Sequence, residues 1–182
     1  MPFLTSLTIT IMPNHLSILG IIHTAISILA IISGFYALAL DGKIIPSSKL
    51  GKIYIALTVI TCLTGLPIMK LGHPTAGHYL AILILILLPI AIFVGRLRIL
   101  GKLAEYIQVI LMSATLFFSM IPAIVETLTR LPISAPLASG PDSPIVQKGL
   151  SCLVILFVVG VCYQLVKLRA NRKSSSTTSK TV

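Results

Sequence analysis

Four histidines, three cysteines and four acidic residues hold nearly all the proton and ligand chemistry in this chain. His23 stands out, because the run Ile18 to Leu40 around it contains no Lys, Arg, Asp or Glu. An ionisable side chain inside such a run is a functional candidate by default. His78 opens a later aliphatic run, and Pro74 can start that helix early enough to place it one turn inside. Glu126 closes another run one turn after Pro122, whose kink would steer the acid inward. Two chemistries fit these residue types. His23 and His78 facing each other in a helical bundle would suit the axial positions of a b-type haem. His23, His78 and Glu126 together would instead form a protonatable pocket for an ion or small ligand. The plainer alternative is a neutral histidine hydrogen-bonded to a Ser or Thr of the next helix. His15 and His73 read as solvated.

Other chemistry is missing. There is no HExxH, P-loop or GxSxG, and no cysteine–histidine zinc spacing, which argues against a conventional hydrolase or metalloprotease. Cys62, Cys152 and Cys162 each sit in apolar runs and read as small core residues, with no CxxCH for covalent haem.

The elements that must position the candidates are membrane helices. The chain is 56% hydrophobic, with mean hydropathy +1.05, and only 10% of it is charged, against about a quarter in soluble domains. At ~1.5 Å per residue, Ile18–Leu40 reaches about 34 Å, enough for a hydrocarbon core of ~30 Å. Five spans are expected in one all-α domain over 1–168, at about 16–40, 53–69, 79–95, 103–126 and 149–167. On the first, His23, Ser27, Ala30, Gly34 and Ala37 follow at steps of four and three and share one face. Small residues there let a neighbouring backbone approach. On the second, Thr58, Thr61 and Thr64, followed by Gly65, form a polar stripe that reads as helix packing.

Charge sets the expected orientation. Eleven of the fourteen Lys and Arg fall in one alternate set of connections and three in the other. The positive-inside rule then puts the C-terminus in the cytoplasm and the N-terminus outside, as five spans require. It also gathers all four histidines and Glu126 at the outer face, whereas Glu105 starts the fourth helix on the inner side, where an acid suits a helix N-terminus. Met1–Asn14, broken by Pro2 and Pro13, lacks a positive n-region and reads as a surface segment, not a signal peptide. The outer connection 128–147 holds Pro132, Pro136, Pro141 and Pro144 and reads as an extended lid or linker. The basic, Ser/Thr-rich tail 169–182 reads as disordered, with anionic lipid as its partner. A partner subunit in the membrane is a further candidate. No basic face is interleaved with aromatics, so the charge of +10 does not point to nucleic acid.

Several stretches also resemble a known type of protein. They are His23-Thr-Ala with Ser33-Gly34, Thr58 through Pro67, Gly77-His78-Tyr-Leu-Ala-Ile, Glu126 through Pro132, Ala135 through Pro141, and Gln147-Lys-Gly. Together they cover most of 16–170 and resemble small bacterial membrane proteins of four or five spans, of the domain-of-unknown-function type. The resemblance implies a bacterial inner-membrane location, with the paired histidines as part of the pattern, and implies no activity. The expected function is a small-ligand or ion binding, transport or accessory module. The alternatives are a haem b redox protein and a structural subunit without chemistry.

Overall fold

Ser17, extended at φ −61° and ψ 157°, accepts the Gly20 N–H at 3.1 Å and starts the first helix, α1 (Ile18–Asp41). Gly42, at φ 71°, ends it by donating its N–H to Leu38 O, a left-handed cap that suits glycine. Ser48 repeats the N-terminal device on Gly51 N–H at 3.0 Å and starts α2 (Lys49–Gly65). Gly51 is required for space: a Cβ there would lie 1.8 Å from Ile45 O, so the α1–α2 turn folds flat onto α2. After these come α3 (Ala76–Val94), a short 3-10 turn (Arg98–Leu100), α4 (Leu103–Arg130) and α5 (Pro144–Thr178). The computed structural model describes residues 17–68 and 72–178, with side chains as far as 172. His15, the segment Met1–Asn14, Lys70 and the last four residues lie outside the described residues.

Among the described residues all regular structure is helical. Helices α1, α3, α4 and α5 are each long and apolar enough to cross a membrane. Their outward faces are apolar, including Ile28, Ile32, Ile86, Ile155 and Val159, as lipid contact requires. The expected second span is the exception. Helix α2 has 17 residues, about 25 Å at ~1.5 Å per residue, short of a ~30 Å core.

Helices α1 and α2 lie side by side, α4 packs on both α3 and α5, and narrower contacts join α2 to α3 and α1 to α4. Tyr54, Leu88, Ala91, Met112 and Ala37 are completely or almost completely buried where these helices meet. The small-residue face of α1 turns toward this core: Ala30, Gly34 and Ala37 are buried, and Ser27 is half-buried. A Cβ on Gly34 would stand 3.0 Å from the Tyr54 ring and from Leu116 Cδ1.

Two segments differ from the sequence reading. Helix α5 continues to Thr178, so the backbone is helical over most of the stretch read as a disordered tail. The proline-rich connection turns back instead of running extended: Ala135 N–H donates to Pro132 O at 3.1 Å, and Ala138 N–H to Leu128 O at 2.9 Å. Those bonds hold it against the end of α4.

Candidate functional site

His23 occupies the second turn of α1, beside the last turn of α2. Its Nδ1 lies 3.0 Å from Thr61 O and 3.2 Å from Thr64 Oγ1. A carbonyl only accepts, so Nδ1 carries a proton and donates it. Thr64 gives its own hydroxyl proton to Ile60 O at 2.8 Å, which leaves Thr64 Oγ1 as a second acceptor for the same Nδ1–H. In the neutral ring Nε2 is then a bare lone pair. The ring stacks over Gly65, where a Cβ would lie 3.0 Å from His23 Cε1. Thr61, Thr64 and Gly65, on the stripe read as helix packing, therefore form the wall that fixes the ring. Ser27 points back along its own helix and donates to His23 O at 2.7 Å.

His78 is 7% exposed in the first turn of α3. Its Nδ1 accepts the Thr75 N–H at 3.0 Å, with Thr75 Oγ1 at 2.9 Å. It thus takes the place that Glu or Gln fills in a capping box. Because Nδ1 accepts, the neutral ring has its proton on Nε2, and that buried N–H has no partner among the described residues. The two histidines are therefore opposite tautomers.

Glu126 is half-exposed near the end of α4 and ion-paired with Arg130 one turn later. Pro122 leaves α4 continuous. Helices α1 and α4 run antiparallel, with Gly34 against Leu116 and Lys43 bound to Glu105, so Glu126 lies toward the His23 end of the bundle. His23 and Glu126 thus share one end of the bundle, with His78 capping α3 after the short link from α2. No direct bond joins the three among the described residues, and His23 and Glu126 are each bonded elsewhere.

A b-type haem on His23 and His78 would need an Nε2 lone pair from each. His78 presents a proton at Nε2, held there by the cap on Nδ1, so this pair does not fit haem iron.

Below His23 a second polar group fills the middle of the bundle. Thr115 donates to Met112 O at 2.8 Å, so the Tyr54 hydroxyl, 2.9 Å from Thr115 Oγ1, is the donor in that pair. The hydroxyls of Thr58 and Ser119 lie beside it. Tyr54, Thr58 and Thr115 are all at most 2% exposed. Thr58 Oγ1 and Thr61 Oγ1 are buried without a partner among the described residues. Hydroxyl and imidazole groups therefore run from His23 inward to Tyr54. Sequence reasoning missed Tyr54 and Thr115, since neither is ionised and each looks like ordinary core. The signal was a threonine stripe on α2 with a tyrosine on its continuation, Thr58 minus four.

The opposite end also carries a group that the sequence reading undervalued. Glu105, read as an orientation and capping residue, lies in the first turn of α4. It also binds Lys43 at 2.6 Å and pairs with Arg172. Comparison with protein families, with curated proteins and with solved structures returned no match.

Proposed function

We propose that this chain is a five-span protein of a bacterial inner membrane, N-terminus outside and C-terminus in the cytoplasm. On this reading α2 also crosses, as the second of five spans, and the chain binds or passes a small ion, the proton above all, at a polar site on its outer end. His23 is the centre of that site, and Glu126 supplies its negative charge. The observation that carries the proposal is the fixed orientation of His23. Its Nδ1–H is committed to Thr61 O, so its lone pair is presented, and hydroxyls continue inward from it. A lone pair with a carboxylate at the same end of the bundle attracts cations and protons.

The test is flux in reconstituted vesicles carrying an internal pH dye under an imposed potential. Wild-type protein is expected to pass protons faster than empty vesicles, His23→Gln to lose that excess, and Glu126→Gln to reduce it. Wild type indistinguishable from empty vesicles, for protons and alkali cations alike, would overturn the proposal. A structural subunit is the second reading. It is favoured by one observation: Glu126 already pairs with Arg130.

A further inference from the structure

At the end of the bundle opposite His23, the α1–α2 turn, the start of α4 and the last described side chains of α5 enclose a pocket of about 340 Å³. Its floor is apolar and buried: Ile44 is 2% exposed, Val109 3% and Ala104 5%. Its rim is charged, with Lys43, Arg172 and Glu105. Glu105 binds both cations, and Arg172 also donates to Lys102 O at 3.1 Å and lies over the Tyr106 ring. Two positive charges against one negative leave the rim cationic. The Lys43 ammonium also has donors to spare after Glu105 is satisfied. Beyond the rim, Arg96, Arg98 and Lys102 are exposed on the adjoining connection, and Lys167 approaches Gly42, beside Asp41. A charged rim over an apolar floor, at the level where a bundle leaves the bilayer, matches an amphiphile with an anionic head.

We propose that this pocket binds the phosphate headgroup of an anionic phospholipid, with Lys43 and Arg172 as its ligands and the apolar floor against the start of the acyl region. Basic pockets between membrane helices take lipid phosphate in this way. Glu105 plays the opposing part. It holds the two cations in place and competes with the phosphate for them. This goes beyond a general attraction of basic tails to anionic membranes, because it assigns the contact to two residues fixed by a third. It does not depend on the His23 site.

The experiment uses the full chain in phosphatidylcholine vesicles with increasing phosphatidylglycerol, read as the midpoint of thermal unfolding. Phosphatidylglycerol is expected to raise the wild-type midpoint saturably. Lys43→Gln and Arg172→Gln should each need roughly fivefold more of it, the effect of one charge near the surface. Lys148→Gln, at the other end, should respond as wild type. Glu105→Gln is the discriminating variant. It loses a helix-to-helix tie and unfolds earlier, yet it should need less phosphatidylglycerol, because both cations are released to the phosphate. Inorganic phosphate added to phosphatidylcholine vesicles should do nothing. An equal response to it would assign the pocket to free phosphate and overturn the lipid source. A phosphatidylglycerol response identical in wild type, Lys43→Gln and Glu105→Gln would overturn the site itself. If Glu105→Gln does not fold, Lys43→Gln against Lys148→Gln decides alone: equal responses overturn the proposal.

Discussion

Gly65→Ala probes the seat of His23 with a single methyl group. That carbon would stand 3.0 Å from His23 Cε1 and 3.4 Å from Nδ1, closer than carbon atoms normally approach. The ring must retreat by a few tenths of an ångström or more, away from the helix whose Thr61 carbonyl it binds at 3.0 Å. The lost interhelical hydrogen bond is worth on the order of 0.6 kcal/mol, at most about 1.7, in a membrane interior. Replacing glycine by alanine in a helix acts in the other direction and contributes roughly 0.5–1 kcal/mol of stability. The two nearly cancel in the wild-type background. In His23→Ala the ring is gone, the methyl group meets open space, and only the helix-forming gain remains. Gly65→Ala should therefore stabilise His23→Ala while leaving wild type unchanged or slightly weaker, with a coupling of about 1 kcal/mol. For a chain of this length that is about 2–4 °C in the unfolding midpoint. A thermal double-mutant cycle in one detergent measures it. Additive effects would refute the reasoning, because they would mean that the His23 ring does not lie over Gly65.

Three further outcomes follow from the packing. Gly34→Leu should lower stability by about 1–3 kcal/mol through overpacking against Tyr54 and Leu116, whereas lipid-facing Ile32→Leu should change little by the same thermal assay. Ser113→Ala should cost about 1–2 kcal/mol, since Gln164 Oε1 would lose its 2.8 Å donor in a buried setting, and Ser113→Thr should restore part of it. In a cysteine-free background, a thiol reagent confined to the outside should label Ser139→Cys and not Arg169→Cys. The reverse pattern would invert the proposed orientation.

Helix existence was legible because lipid imposes a strong rule: long neutral runs must hydrogen-bond themselves. The small-residue face of α1 was legible too, because Ala30 and Gly34 recur at helical spacing. What periodicity does not carry is the partner across the gap. His78 looked like a ligand, yet Thr75 three residues earlier made it a cap, a local competition that spacing from His23 never reveals. Glu126 looked inward-facing because of Pro122, but Arg130 one turn later offered a nearer partner. Glu105 was read from its position on the helix alone. Its partners, Lys43 and Arg172, lie about sixty residues away on either side, a distance at which no pattern in the chain speaks. The length of α5 was hidden as well, since residues that compositionally suit a solvated tail also suit a helix once its first turns are formed.

His23 is held by α2 with its lone pair presented, and His78 is the opposite tautomer. Nitrogen-15 spectra of histidine-labelled protein in lipid bilayers test this most directly, with His23→Asn and His78→Asn used to assign the signals. At a pH where both rings are neutral, His23 should carry its proton on Nδ1, and His78 should carry it on Nε2. Gly65→Val should disturb only the first. A His23 ring protonated on Nε2, with Nδ1 bare, would contradict the bond to Thr61 and remove the proposed site with it.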